Sequence, residues 1–278
     1  MNPVQSQQKK ERARYLQIVA TNQQDLDGDR EDNPAVLTMN GQLDWNSDFT
    51  GSSSLPRKDR NEMTTPLIQM ALDSLDFDTT LALAEQVAPH VDIFEIGTPC
   101  IKHNGVRIVQ ALRDRFPNHL ILVDLKTMDA GDYEAAPFYA AGANICTVLG
   151  VAGSATIAGV VKATSIHSNA EVQVDLINVP DKIACAKESA ALGVHIIGVH
   201  TGLDAQAAGQ TPFTDLNTIA DLALNVKISV AGGIKPATAR LVVDAGAEIV
   251  VVGAAIYSAE SPAAAAREIR DTVSIAEV

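Results

Sequence analysis

The segment Val123-Asp124-Leu125-Lys126-Thr127-Met128-Asp129-Ala130-Gly131 puts two carboxylates and one amine into the spacing D-x-K-x-x-D, directly behind the apolar run Leu120 to Val123. If that run is a strand that continues to Lys126, alternation sends Asp124 and Lys126 to the same side. A carboxylate and an ammonium at the C-terminal end of a strand can hold a cation and stabilise an oxyanion. Asp129 then falls in the turn before the next helix. The plain alternative is a surface salt bridge, and the choice rests on what else reaches the same place.

What must position these residues is a regular beat of elements beginning at Pro66. Apolar strands are predicted to start near Leu67, Val91, Leu120, Asn144, Glu171, His195, Val226 and Glu248. Helical spacing fills Thr79–Ala88, Val106–Arg115, Ala155–His167, Lys182–Leu192 and Ala237–Ala245. Eight strands alternating with helices over residues 66–278 predict an α/β protein, a (β/α)8 TIM barrel. An open doubly wound sheet is the rival, but the first strand ends in Leu72-Asp73-Ser74, not in G-x-G-x-x-G. Ala141-Gly142-Ala143 and Ala245-Gly246-Ala247 read as helix ends before a strand.

Residues 1–65 are different: rich in Gln, Asn, Asp and Ser, with Gly51-Ser52-Ser53-Ser54 and the charged run Arg57-Lys58-Asp59-Arg60. Such a stretch buries too little apolar surface to offset its ordering entropy, so it reads as a disordered extension, with a short helix over Lys9 to Ala20 at most. Asp25, Asp27 and Asp29 do not make an EF-hand loop, because Arg30 stands where Gly is required and Val36 stands at the last ligand position. A net charge of −13 speaks against binding a nucleic-acid backbone. Cys100, Cys146 and Cys185 are odd in number and far apart, which predicts reduced thiols in a cytoplasmic protein and neither a disulfide frame nor a zinc site. No apolar run approaches the ~18 residues of a membrane span. Met1 to Arg14 lacks the apolar centre of a secretory signal.

In a barrel of this kind chemistry sits where strands end and the following loops begin. Those positions carry Asp73, Glu95, Asp124 with Lys126, Thr147, Asp175, His200, Gly232-Gly233 and Gly253. Taken singly, Asp73 or Asp175 could be a helix N-cap, and His200 a core histidine bonded to backbone. Together on one rim, the carboxylates need a cation or an amine to neutralise them. Glu95 and Asp124 end adjacent strands, and two carboxylates plus water suit Mg²⁺. Glycines after strands seven and eight let backbone N–H groups approach a phosphate.

Read in order, Ala71-Leu72-Asp73, Glu95-Ile96-Gly97-Thr98-Pro99, Asp124 through Gly131, Thr147-Val148-Leu149-Gly150, Val174-Asp175-Leu176-Ile177, His200-Thr201-Gly202-Leu203-Asp204, Val230-Ala231-Gly232-Gly233 and Gly253-Ala254-Ala255-Ile256-Tyr257 resemble the 3-hexulose-6-phosphate synthase family. That family lies within the orotidine-monophosphate decarboxylase superfamily, and the likeness runs from about Leu67 to Ser274. It implies an aldehyde-lyase of the ribulose monophosphate pathway. Formaldehyde would condense with D-ribulose 5-phosphate to give D-arabino-hex-3-ulose 6-phosphate, with Mg²⁺ (or Mn²⁺) held by Glu95 and Asp124. The resemblance further implies that His200 removes the C1 proton, that Lys126 stabilises the enediolate and that Asp73 and Asp175 orient substrate hydroxyls. Gly232, Gly233, Gly253 and Ala254 would bind the phosphate. Asp129 would reach the partner's site in a homodimer with shared active sites.

Three rivals follow from the same scaffold. A 3-keto-L-gulonate-6-phosphate decarboxylase would carry Arg after the strand-eight Gly and another shortly after the His, where this chain has Gly253-Ala254-Ala255 and His200-Thr201-Gly202-Leu203. A ribulose-phosphate epimerase would need metal-binding histidines where Glu95 and Asp124 stand. The third is a non-catalytic phosphosugar-binding barrel.

Overall fold

The computed structural model describes residues 65–274. The helix expected over Lys9 to Ala20, the acidic stretch Asp25 to Asp29 and the rest of the extension as far as residue 64 lie outside the described residues. Strands β1 (Leu67–Leu72), β2 (Ile93–Ile96), β3 (Leu120–Thr127), β4 (Ile145–Leu149), β5 (Glu171–Asp175), β6 (Ile196–His200), β7 (Lys227–Ala231) and β8 (Ile249–Val252) pair in sequence order into a closed barrel. All pairs are parallel, including β8 back onto β1. Around them run α1 (Phe77–Val87), α2 (Thr98–Asn104), α3 (Val106–Arg115), α4 (Gly131–Ala140), α5 (Ser154–Ala163), α6 (Lys182–Ala191), α7 (Leu203–Ala207), α8 (Phe213–Ala220), α9 (Pro236–Asp244), α10 (Ala254–Tyr257) and α11 (Pro262–Ser274). The predicted barrel is the observed one.

The period of two explains where the core lies. Ile68, Met70 and Leu72 of β1, Val172 and Val174 of β5, and Val250 and Val252 of β8 are buried against the apolar stripes of the helices. The alternate residues line the barrel interior. At its N-terminal end Ile93, Leu122, Ile145, Ile196 and Ile249 form a separate apolar plug with Leu67 and Leu120. Each such side chain contributes about 1.5–3 kcal/mol when fully buried, and together they close the floor. Above the plug the interior turns polar, with Gln69, Asp124, Thr147, Gln173 and Ser229 all buried.

The floor is tied by charge pairs. Arg270 of α11 donates to Asp92 Oδ2 at 2.5 Å, and the same oxygen accepts from Ile68 N at 2.7 Å. Because the Asp92 side chain takes that N–H, β2 begins at Ile93 and not near Val91. Lys227 Nζ meets Glu171 Oε2 at 2.5 Å across the starts of β7 and β5. At the other end α1 starts at Phe77, ahead of the predicted Thr79, because Asp76 Oδ1 caps Thr79 N at 2.7 Å.

Candidate active site

The register of β3 against β4 runs as far as Val123 opposite Cys146, then slips, so that Thr127 lies opposite Val148. Lys126 sits in this bulge with a left-handed φ of 48°, and its N–H donates to Thr147 Oγ1 at 3.0 Å. Simple strand alternation therefore does not hold here. Asp124 and Lys126 meet because a bulge re-aims the lysine across the mouth, at a backbone cost that sites of function often carry. Its Nζ lies 3.0 Å from Asp124 Oδ2 and 2.8 Å from Asp175 Oδ2.

Asp124 is buried, and both of its oxygens are held. Thr147 Oγ1 donates to Oδ1 at 2.8 Å, and Thr98 Oγ1 donates to Oδ2 at 2.5 Å. Thr147, read from the sequence as a strand end, is the middle residue of β4. Thr98, the first residue of α2, carried no sequence signal for a carboxylate 26 residues away.

Asp175 is the second hub. Its Oδ2 accepts from Lys126 and lies 3.0 Å from His200 Nδ1, and its Oδ1 accepts from Ile177 N at 2.9 Å. Burial alone would raise this carboxyl, but His200 and Lys126 outweigh it and hold it at about 2. Burial likewise works against the His200 imidazolium, yet the bond and charge of Asp175 keep its pKa above the ordinary value. The Lys126 ammonium is held above its usual range in spite of burial, by Asp124 and Asp175. With Nδ1–H on an ionised Asp175, the neutral His200 ring carries its lone pair on Nε2.

Glu95 accepts from Gln69 Nε2 at 2.7 Å through Oε2. Burial first and the charge of Asp124 second push its carboxyl up to about 7, against the pull of Gln69 and Lys126. Asp73 is raised by partial burial and by Asp124, opposed by Lys126 and His200. It leans over Gly97, where a Cβ would come within 2.0 Å of Asp73 Oδ1, so only glycine leaves it room. Among the described residues no group of three or more His, Cys, Asp or Glu is placed to hold a metal ion. The Glu95–Asp124 pair nevertheless offers two carboxylates to a hard cation that keeps most of its waters, and a dication there would relieve the Asp124 repulsion that adds to burial in raising Glu95.

After β7, Gly232 and Gly233 have φ of 126° and 68°, and a Cβ on Gly232 would come within 2.7 Å of Thr201 O. After β8, Gly253 precedes the short α10, whose Ile256 N and Tyr257 N donate to Gly253 O at 2.9 and 3.2 Å. Asp129 does not join the cluster: it is exposed, and its Oδ1 accepts from Ala130 N at 2.8 Å. Met128 and Tyr133 beside it are large apolar side chains left 54% and 63% exposed.

Residues 66–269 match the model of the orotidine 5'-phosphate decarboxylase / HUMPS family. The chain is 68% identical over 203 residues to a 3-hexulose-6-phosphate synthase of Methylomonas aminofaciens, covering 73% of this chain and 97% of the relative. A crystal structure of a 3-hexulose-6-phosphate synthase superposes with a TM-score of 0.71 at 46% identity, covering 74% of this chain and 99% of that one. The crystal structure of a 3-keto-L-gulonate-6-phosphate decarboxylase from Vibrio cholerae gives a TM-score of 0.68 at 31% identity, over 76% of this chain and 98% of its own. A closed parallel barrel, an acidic mouth crossed by one lysine and a family match over nearly all described residues lead to one conclusion: the chain belongs to the orotidine 5'-phosphate decarboxylase / HUMPS family.

Proposed function

We propose that this barrel joins formaldehyde to D-ribulose 5-phosphate, giving D-arabino-hex-3-ulose 6-phosphate. The observation that carries the reading is the chain His200–Asp175–Lys126–Asp124, which sets a base with an open Nε2 beside a fixed ammonium. His200 Nε2 takes the proton from C1 of the sugar phosphate, and the electron pair moves onto C1 and the carbonyl oxygen as an enediolate. Lys126 stabilises the oxygen charge, as a preorganised donor in a partly buried site does. C1 then forms the new bond to the formaldehyde carbon, whose carbonyl pair becomes an alkoxide that takes the proton back from His200. Mg²⁺ or Mn²⁺ held by Glu95 and Asp124 would supply Lewis acidity at the sugar carbonyl.

Asp175 Oδ2 holds both Lys126 Nζ and His200 Nδ1, so its part is to orient those two groups. Asp73 is the carboxylate left to meet a substrate hydroxyl. Gly232, Gly233, Gly253 and Ala254 offer N–H groups to the phosphate. Residues 66–278 carry the chemistry in this reading, and residues 1–65 stand outside it. The exposed Met128 and Tyr133 flanking Asp129 support a homodimer, because large apolar side chains on a rim mark contact surface. Asp129 would then complete the neighbour's site. No helix among the described residues is long and apolar enough to cross a membrane, and a cytoplasmic enzyme is the setting this chemistry fits.

The 3-keto-L-gulonate-6-phosphate decarboxylase reading is disfavoured by the absence of Arg after Gly253 and shortly after His200, and by the lower identity to the Vibrio cholerae decarboxylase. The deciding experiment assays the purified chain with ribulose 5-phosphate, formaldehyde and Mg²⁺, beside 3-keto-L-gulonate 6-phosphate. Condensation is expected. Turnover of the gulonate alone would replace this reading with decarboxylation, and turnover of neither would leave a phosphosugar-binding barrel.

A further inference from the structure

Gln69 stands in the barrel interior beneath Glu95 and is 1% exposed. Its strand partners in register are apolar, Ile93 on β2 and Val251 on β8. The amide Nε2 donates to Glu95 Oε2 at 2.7 Å, while Oε1 is buried without a hydrogen-bond partner among the described residues. Buried amides are normally paired at both ends. With Glu95 ionised, as a cation's carboxylate must be, the reverse orientation would aim Oε1 at a carboxylate. The interior's other glutamine behaves differently: Gln173 Oε1 accepts from Ser229 Oγ at 3.1 Å, an ordinary pairing of neutral groups.

We propose that Gln69 is a positioning residue for cation capture, tying down Oε2 of Glu95 and leaving Oε1 as the oxygen presented to a divalent ion. The proposal rests on the reading of Glu95 and Asp124 as the cation's carboxylates. A carboxylate fixed in advance loses less freedom on binding, and outer partners of metal ligands typically govern affinity by about 10–100-fold. Gln69 is buried in the barrel interior below the mouth, so its effect runs through Glu95.

The test measures Mn²⁺ binding directly, by loss of the free-ion EPR signal on titration of the full chain without substrate. Gln69→Met keeps the volume and removes the donor, and should weaken Mn²⁺ by about 10–100-fold. Gln69→Asn, one methylene short, should weaken it too and serves if the methionine variant does not fold. Gln173→Met, which disturbs the same interior without touching Glu95, should bind Mn²⁺ within a few-fold of wild type. At saturating Mn²⁺ the kcat of Gln69→Met should return to near the wild-type value, with only the half-saturating Mn²⁺ concentration raised. Unchanged Mn²⁺ affinity in the Gln69 variants, or equal weakening in Gln173→Met, overturns the proposal. A wild-type chain that binds no Mn²⁺, or a Glu95→Gln variant that binds it as wild type does, overturns the cation reading itself and the Gln69 role with it.

Discussion

At the floor of the barrel Lys227 faces Glu171 and Arg270 faces Asp92, one cation to each carboxylate. At the mouth Asp73, Glu95, Asp124 and Asp175 share one ammonium, Lys126, and one imidazole, His200. Both ends use the same residue types in part-buried positions, yet at the mouth four carboxylates crowd around two basic groups. A matched pair needs nothing further, and its worth is modest stability. An unmatched cluster costs folding energy that the fold alone does not require, and such groups mark a place built to receive a charge. The floor is structure and the mouth is chemistry, and the distinction lies in how closely the carboxylates crowd one another.

The sharpest way to break this contrast is Asp124→Ala. It removes the proposed cation ligand and a partner of Lys126 at once, so activity should fall by on the order of 10³-fold or more while circular dichroism stays native. Activity that survives in this variant, or in wild type with excess chelator, would sink the cation reading. His200→Asn comes next, with a loss of about 10²–10⁴-fold. It should also stop exchange of the C1 proton of ribulose 5-phosphate with deuterium from solvent, even without formaldehyde. Gly97→Ala forces Asp73 off its place and should cost up to about 10²-fold, with Mn²⁺ affinity little changed.

The contrast also has a pH signature. Glu95 is raised from the ordinary 4.5 to about 7, so the folded chain binds its proton more tightly than the unfolded one. Metal-free protein should therefore lose stability as pH rises from 4.5 to 7, and Glu95→Gln should flatten that slope. Asp175 works in another window: lowered from 3.8 to about 2, it contributes stability above 3.8 that is lost as pH falls through 2. Thermal melts across both ranges check the two signs. The smallest effect belongs to the floor, where Lys227→Met should leave kcat within a few-fold and lower Tm by about 2–4 °C. A large activity loss there would erase the distinction between the two ends.

The strand ends named from sequence were nearly all the right ones, because parallel strands in sequence order make the C-terminal end of each a rim position. Alternation failed once, at Lys126, where the bulge in β3 replaces the pleat. Asp175 was legible as a rim carboxylate, but its engagement with Lys126, His200 and Ile177 N was not, since those partners lie on different strands and loops. Gln69 and Thr98 were missed for the same reason, each acting on a carboxylate 26 residues further along the chain.

The sequence by itself determined the barrel, through a period of two in apolar strands and the alternation of those strands with helices. It also determined which acids, which lysine and which histidine stand at the strand ends. Only the tertiary structure decided how they divide the work. Hydrogen-bond partners and burial depend on distances across the barrel that closure sets, and these make Asp175 a strong, fully paired acid while Glu95, of the same chemical kind, holds its proton to about 7.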